Sequence, residues 1–283
     1  MAWTLTGSPD EYLAVAGGFL RSDPVRNTIA LSVADTVRIR GLAAFGEIEP
    51  LFGGWRAGGG EITAALLHTP PFPVLLTGLP QGSGRPLAEA LIARGRPVRG
   101  VNAQDRIATA FAGVWAGLTG AAAREFLRTR LYWLRQLRPP EPAPGGVARR
   151  ATAADRGFLA PWLAAFADEL GDDVGRDGDE LIDDQLSYGG LIVWESGGTP
   201  VSLAGMHRPS AATFRIGPVY TPPGHRRRGY GGAVTAAVCR AALDAGAQNV
   251  VLFTDQANPA SNSLYQRLGF EPVEERVVLH FIP

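Results

Sequence analysis

Residues 139–146 of this 283-residue chain read PPEPAPGG, a run that can continue neither a helix nor a strand. Proline fixes the backbone and removes a hydrogen-bond donor, so such a run behaves as a semi-rigid spacer. The chain is long enough for a domain on either side, and 46% hydrophobic residues can fill two cores. The sequence therefore predicts two domains, residues 1–138 and 147–283, joined by a linker at residues 139–146.

The charges exclude several classes of function. All 27 basic residues are arginines, and 27 acidic residues balance them. Balanced charge gives no global field that would attract nucleic acid or an anionic membrane. Without lysine the chain lacks the amine that a Walker phosphate loop or a Schiff-base enzyme needs. The single cysteine, Cys239, can neither pair internally nor build a cysteine metal site.

The ends and the hydropathy of the chain predict its location. The N-terminus has no basic region followed by an apolar run, and no stretch approaches the roughly eighteen apolar residues of a membrane span. We therefore expect a cytoplasmic protein, a monomer or homodimer, without a bound metal and without nucleic-acid or membrane partners.

Hydrophobic periodicity predicts a mixed α/β layer after the linker. A helix is predicted at residues 156–170, where apolar residues recur at helical spacing. A short strand and turn are predicted at residues 146–155, GVARRATAAD. Further strands are predicted at residues 191–195, 200–207, 212–220, 249–254 and 276–282, and further helices at 231–245 and 261–268. The first half repeats the later part of this order, with strands at 51–55, 62–68, 73–79 and 97–102 and helices at 86–94 and 106–118. The predicted fold is a mixed twisted sheet with flanking helices, duplicated in tandem.

Residues 220–232, YTPPGHRRRGYGG, join a predicted strand to a predicted helix. The unpaired N–H groups of a helix N-terminus bind phosphate, and glycine lets the backbone approach it. Arginine adds charge and forked donors. A solvated basic patch or a nucleic-acid contact are alternatives. A Rossmann loop would need a third glycine, where this sequence has Val234.

Two motifs give a family resemblance. Arg226-x-x-Gly229-x-Gly231 resembles the Gln/Arg-x-x-Gly-x-Gly/Ala signature of GNAT acetyltransferases. Residues 258–270, NPASNSLYQRLGF, resemble the second signature of that family, N-x-x-(A/S)-x-x-x-Y-x-x-x-G-F. The resemblance covers nearly all of residues 147–283.

The resemblance implies a site for acetyl-CoA. In the family, the strand before the phosphate loop parts from its neighbour and its backbone holds the pantetheine arm. Gly217-Pro218 interrupts that strand here, and proline deletes a ladder N–H. The implied contacts with the cofactor are Val219, Tyr220, Thr221, Arg226, Arg227, Arg228, Gly229, Tyr230, Gly231, Gly232, Asn258 and Ser261.

Acyl transfer to an amine needs a neutral nucleophile and a donor for the departing thiolate. The resemblance places Tyr265 as that donor, although a tyrosine is a weaker acid than a thiol by about 1.5 pKa units. Many relatives carry a glutamate base on the strand that here reads TFRIG. His207 is the nearby histidine with a suitable pKa, and a relayed water is the alternative base.

An acidic run follows the helix at residues 156–170. In the family this region shapes the acceptor site, and negative charge would attract a cationic amine. A solvated loop is the alternative. The acidic residues are Asp168, Glu169, Asp172, Asp173, Asp177, Asp179, Glu180, Asp183 and Asp184, against one arginine, Arg176.

The first domain resembles a degenerate copy. Its loop at residues 78–86 lacks the R-x-x-G-x-G order, and Trp115 falls where Tyr265 sits in the second domain. An indole offers no useful proton to a thiolate. The sequence as a whole leaves three candidate functions. The leading one is an N-acetyltransferase that transfers the acetyl group of acetyl-CoA to a primary amine of a small molecule or peptide. The second is an acyl-CoA-binding module with little turnover, and the third is a tandem aminoacyl transferase. The last should carry a basic surface, which the balanced charge disfavours.

Overall fold

The computed structural model describes residues 1–171 and 178–282. The chain forms two compact units. Unit 1 comprises Met1–Leu131, Asp255–Ala257 and Val273–Pro283, and unit 2 comprises Tyr132–Thr254 and Asn258–Pro272. These units differ from the predicted ranges because the end of the chain returns to unit 1 and residues 132–138 belong to unit 2.

The helices and strands follow the chain in an α/β order. They are β1 (Ala2–Thr6), α1 (Pro9–Ser22), α2 (Thr28–Arg40), β2 (Leu51–Arg56), β3 (Ile62–His68), β4 (Val74–Leu76), α3 (Gly84–Ala93), β5 (Gly100–Gln104), α4 (Asp105–Thr119), β6 (Ala122–Leu134), β7 (Val147–Arg150), α5 (Arg156–Leu170), α6 (Gly178–Ser187), β8 (Leu191–Ser196), β9 (Thr199–Met206), β10 (Thr213–Tyr220), α7 (Tyr230–Asp244), β11 (Asn249–Asp255), α8 (Pro259–Arg267) and β12 (Phe270–Ile282). Short 3-10 turns lie at Ala153–Asp155 and Pro223–His225.

The two units share one internal strand order. In unit 1 the order is β1-β2-β3-β4-β5-β12, with β1 to β4 antiparallel and β4 parallel to β5. In unit 2 the strands β7 to β10 are antiparallel and β10 is parallel to β11. The strand next to β11 is β6, of which only the last residues, Tyr132–Leu134, belong to this unit. The helices α3 and α7 each connect the parallel pair of their unit. The predicted fold class, a mixed sheet with flanking helices, is confirmed, and the shared order supports a duplication.

Small residues let α7 pack closely on the sheet of unit 2. Most of its buried residues are small, and Val234, Ala236, Val238, Cys239 and Ala242 belong to the same core cluster as the last paired residues of β10 and β11, Ile216 and Leu252. Helix α8 starts where the Asn258 side chain accepts a hydrogen bond from the Ser261 N–H at 3.0 Å. It ends before Gly269, whose φ is +97° and where a Cβ would overlap the carbonyl oxygen of Gln136.

The remaining cores lie on both faces of the unit 1 sheet and under α5 of unit 2. Five elements of the structure have no counterpart in the sequence prediction, namely β1, α1, α2, β6 and α6. The other predicted elements are present, with ends that differ by a few residues, and the last strand begins earlier, at Phe270.

Candidate functional site

The parallel strands β10 and β11 part before β10 ends. Their register runs from Thr213 opposite Asn249 to Ile216 opposite Leu252. On the other side, the pairing of β10 with β9 shifts between Ile216 and Val219. Gly217 lies in this irregularity with a φ of +153°, which few other residues adopt. The strand opening is the gap between β10 and β11 beyond Ile216 and Leu252.

The phosphate loop, residues 221–229, leads from β10 into α7. Arg227 has a φ of +60° and Gly229 a φ of +83°. Positive φ at arginine is uncommon, and such strain concentrates at functional sites. The first intrahelical bond of α7 joins the Ala233 N–H to the Gly229 carbonyl at 3.1 Å. The N–H groups before Ala233 therefore have no carbonyl partner within the helix, which is the arrangement that binds anions.

The glycines of this loop have two physical roles. A Cβ at Gly232 would lie 3.1 Å from Leu264 and 3.3 Å from Pro140, so Gly232 allows α7 to pack against α8 and the proline segment. A Cβ at Gly231 would meet only Thr221 Oγ1 at 3.4 Å and Leu264 at 3.9 Å. The backbone at Gly231 is thus the less obstructed of the two, and it fits the approach of a phosphate.

The three arginines of the loop differ in their surroundings. Arg226 Nε donates to the Thr221 carbonyl at 2.8 Å, and its terminal nitrogen pairs with Glu169. Arg227 and Arg228 are exposed. Arg226 therefore fixes the loop to α5, whereas the other two arginines present their charge to solvent.

The backbone of β10 beside the opening is partly engaged. The Ser202 hydroxyl donates to the Tyr220 carbonyl at 3.0 Å and lies 2.8 Å from Thr221 Oγ1. The Thr221 carbonyl accepts from Arg226. Val219 pairs with Ala204 of β9 on the opposite side. Tyr220 likewise pairs with Leu203 of β9. Tyr230 is held by its hydroxyl, 3.3 Å from Ser196 Oγ.

Tyr265 lies in the core between α7 and α8, 7% exposed. The centre of its ring lies 6.4 Å from that of Tyr132, in a tilted arrangement, and 6.0 Å from that of Phe270, in an edge-on arrangement. Burial, with a smaller contribution from Cys239, raises the pKa of Tyr265 above its ordinary value. The phenol is therefore neutral over the physiological range and can act as a hydrogen-bond donor.

Two polar side chains approach the opening from the side of β9. His207 Nε2 lies 3.8 Å from the position of a Cβ at Gly217. Gln185 of α6 is 2% exposed, and its Nε2 lies 3.1 Å from the position of a Cβ at Gly205, next to the Gly217 carbonyl and Pro218. Gln185 Oε1 is buried and has no hydrogen-bond partner among the described residues. The structure thus brings His207 and Gln185 close to the irregular part of β10 at Gly217 and Pro218, and sequence analysis did not single out Gln185.

A second group that sequence analysis missed lies in the loop itself. His225 Nδ1 is buried and has no partner in the part of the chain that the structure describes. No sequence motif marks Gln185 or His225, since neither belongs to the two signatures. The unsatisfied buried atoms are the signal that identifies them.

The acidic run is largely paired with arginine where it is described. Asp184 binds Arg208 at 2.8 Å, and Asp183 and Asp179 pair with Arg156. Glu169 pairs with the loop arginine at position 226. The run therefore presents less unpaired charge than its composition suggests. The predicted Asp172, Asp173, Arg176 and Asp177 lie outside the described residues.

Within residues 1–171 and 178–282, no group of three or more His, Cys, Asp or Glu side chains is arranged to hold a metal ion. No described helix is long and apolar enough to cross a membrane.

Comparison with known proteins agrees with the geometry of unit 2. The profile of the acetyltransferase (GNAT) family matches residues 155–270. The match covers less than half of the chain, and nearly all of it lies in unit 2. The resemblance that the two signatures indicate is thereby confirmed.

One curated relative and two solved structures extend the comparison. The mycothiol acetyltransferase of Salinispora tropica is 35% identical over 170 residues, which cover 52% of this chain and 53% of that protein. The chain thus matches about half the length of this relative. A GCN5-related N-acetyltransferase from Sphaerobacter thermophilus has a TM-score of 0.61 at 18% identity and covers 98% of this chain and 94% of its own. A tandem GNAT protein from the clavulanic acid biosynthesis pathway has a TM-score of 0.56 at 15% identity, and the match covers 99% of this chain and 98% of that protein. At these identities the two structures support the fold alone.

Proposed function

We propose that unit 2 transfers the acetyl group of acetyl-CoA to a primary amine of a small molecule or peptide. The strand opening carries this proposal. It is bordered by the N–H groups at the start of α7 and by His207, and its last paired residues share a core cluster with Tyr265. Together these would supply a phosphate site, exposed strand backbone and a hydrogen-bond donor, which acyl transfer from a phosphate-bearing thioester can use.

The residues divide the chemistry as follows. Bound acetyl-CoA would supply an activated thioester carbonyl. The N–H groups of Tyr230 and Gly231 would bind its diphosphate, with Arg227 and Arg228 adding charge, and Val219 would bind the pantetheine arm. Asn258 and Ser261 would border the arm from α8, although the Asn258 side chain already caps that helix.

Two side chains would handle protons. His207 would accept a proton from the incoming ammonium, because imidazole titrates near neutral pH. Tyr265 would donate a hydrogen bond to the departing sulfur. Because burial raises the pKa of Tyr265, this bond stabilises the thiolate without full proton transfer, and the thiolate takes its proton from solvent.

The acceptor substrate is proposed from the relative's name and from one buried side chain. The Salinispora tropica relative is called a mycothiol acetyltransferase, so an amine related to mycothiol is the first candidate. Gln185 Oε1 would accept a hydrogen bond from that acceptor, since this oxygen is buried and unsatisfied beside the opening.

The test is release of coenzyme A thiol from acetyl-CoA by the full chain, measured against a panel of amines that includes mycothiol-related ones. Tyr265→Phe should lower kcat by roughly 10- to 100-fold, which corresponds to the loss of one hydrogen bond to a charged atom. Tyr12→Phe is the matched control, because Tyr12 is also a fully buried tyrosine but lies in unit 1. Equal rates for the wild type and Tyr265→Phe would contradict the assigned role.

The second candidate is a module that binds acyl-CoA without turnover. The strand that precedes the opening carries no carboxylate, and this observation favours it. Calorimetry with acetyl-CoA separates the two functions. Tight binding with no thiol release over the whole amine panel would favour the binding module, whereas amine-dependent release would exclude it.

A further inference from the structure

Unit 1 contains a cavity of about 690 Å³ that no part of the proposed transfer reaction uses. It lies where β4 and β5 end, and it is bordered by the end of α1, the start of α4 and the chain's last strand, β12. Its volume is in the range of roughly 300–1,000 Å³ that small-molecule sites occupy. The residues that line it include Arg26, Thr63, Leu79, Arg106, Glu274 and Arg276.

Arg276 of β12 occupies the point at which β4 and β5 part. The register of these strands ends with Leu75 opposite Asn102. A terminal nitrogen of Arg276 donates to the carbonyls of Leu76 and Asn102, each at 3.3 Å, and Nε donates to Asn102 Oδ1 at 3.3 Å. The guanidinium, in a residue 4% exposed, therefore binds the carbonyls that a pantetheine arm would need. Unit 1 has no place for a second acyl-CoA arm between these strands.

The charges beside Arg276 leave the cavity positive. Glu274 uses one oxygen for Arg276 at 2.9 Å and the other for Arg26 at 3.4 Å. Arg26 also pairs with Asp23 at 2.6 Å. Arg106 binds only an uncharged partner, Gln104, in the contacts described. Three arginines against two carboxylates leave one positive charge in excess.

The cavity also offers an unsatisfied hydroxyl and an apolar wall. Thr63 Oγ1 is buried and has no hydrogen-bond partner within residues 1–171 and 178–282. Leu79 and Ile107 line the cavity with aliphatic carbon. A buried ion pair beside a cavity is not needed for stability, because apolar residues of similar size would stabilise a core at least as well. These groups fit a ligand with an anionic head and an apolar body.

We propose that this cavity is a binding site for a small organic carboxylate. Its carboxylate is held by Arg26 and Arg106, its apolar body lies against Leu79 and Ile107, and Thr63 hydrogen-bonds a polar atom of the ligand. Arginine binds carboxylates through paired N–H donors, which makes the planar carboxylate the favoured anion. All of these residues belong to unit 1, so the inference does not depend on the proposed transferase function.

The experiment is calorimetric titration of the full chain with hexanoate, octanoate and 4-phenylbutyrate, each beside its uncharged amide. We expect at least one acid to bind about tenfold or more tightly than its amide, because the head group contacts arginine. Saturating acetyl-CoA should leave this binding unchanged. Displacement by acetyl-CoA, or acids that bind no better than their amides, would overturn the proposal.

The residues are tested with Arg26→Gln and Arg106→Gln, each of which we expect to weaken the acid about tenfold while leaving the amide unaffected. Arg85→Gln is the matched control, since Arg85 is an exposed arginine of unit 1 outside the cavity, paired with Glu89 at 2.8 Å. Arg106 is exposed, so its variant remains folded even if loss of Arg26 disturbs Glu274. Unchanged binding in both variants would refute the site.

Discussion

Gln185 shows at the scale of a single residue how an unsatisfied atom indicates a site. Its side chain is almost fully buried, yet Oε1 has no partner among the described residues. Leaving such an acceptor buried costs about 1–3 kcal/mol, so a fold that retains it has a use for it. Because Gln185 lies near the Gly217 carbonyl and Pro218, the proposed function gives this oxygen the acceptor amine as its partner.

Gln185→Met keeps the length of the side chain and removes the amide. We expect KM for the amine to rise about tenfold while KM for acetyl-CoA stays within about twofold, because the lost hydrogen bond concerns the acceptor alone. Steady-state kinetics with each substrate varied in turn measure this split. Gln81→Met, on an exposed loop of unit 1, is the control. An equal rise in both KM values would contradict the assignment.

At the scale of elements, β3 and β12 carry buried polar groups that conflict with their surroundings. His68 ends β3, is fully buried, and has no partner for either ring nitrogen in the described residues. Burial, and secondarily Arg96, lowers the pKa of His68 to about 4. Arg276 on β12 is paired instead, with Glu274 and with carbonyls of β4 and β5. We therefore expect opposite effects on stability: an apolar residue in place of His68 should preserve stability in acid, whereas replacement of Arg276 should lower stability.

His68 makes stability sensitive to acid. Its pKa is about 6.5 when unfolded and about 4 when folded, so its neutral form stabilises the fold above pH 6.5. That stability, about 3 kcal/mol, is lost as the pH falls from 6.5 through 4. His68→Leu should remove this loss and flatten the pH dependence of the unfolding free energy. Urea denaturation at pH 7, 5 and 4 tests it, and equal slopes in the wild type and the variant would refute the argument.

Arg276→Met should destabilise unit 1 by about 3–5 kcal/mol, because Glu274 and the carbonyls of Leu76 and Asn102 would lose a buried partner. The double variant Glu274→Gln with Arg276→Met should be destabilised by less than the sum of the two single variants, since no buried charge is then left alone. Urea unfolding of the four proteins completes the cycle. Additive effects would show that the pair is not coupled.

At the scale of the whole molecule, most of the last strand, β12, belongs to unit 1, which also contains the N-terminus. β12 pairs with β5 from Arg276 opposite Gln104 to His280 opposite Gly100. Unit 2 instead contains Tyr132, whose hydroxyl donates to Asn262 at 2.9 Å. Unit 1 thus takes most of β12 from the end of the chain, whereas unit 2 takes only the last residues of β6, Tyr132–Leu134.

Removal of residues 273–283 should therefore unfold unit 1 although the deletion lies at the end of the second half. The physical reason is that β5 would lose its antiparallel partner β12 and keep only β4, and the cavity would lose Glu274 and Arg276. Limited proteolysis with mass spectrometry should find cuts concentrated in residues 1–131. Cuts concentrated in residues 147–270 would show that the strand belongs to unit 2.

Local patterns predicted much of the fold. α5 has the predicted bounds, and so does β3, because the first has helical periodicity and the second is a continuous apolar run between turns. β6 was not predicted because its residues before Leu131 are exposed or half-buried and include arginines. The alternation of apolar and polar residues that indicates a strand is therefore weak. The helix α2 contains polar residues on its buried face, including Thr28 and Ser32, which blurs its period.

The sequence by itself determined the family of residues 155–270 and the position of the phosphate loop. These depend on residues close together in the chain, where spacing fixes which groups share a turn. Only the tertiary structure decided that Gln185 and His207 meet the strand opening, that Arg226 is bound to Glu169, and that Arg276 closes the equivalent position in unit 1. Those contacts join residues far apart in sequence, and the burial that leaves an atom unsatisfied or a charge paired exists only after the strands have assembled.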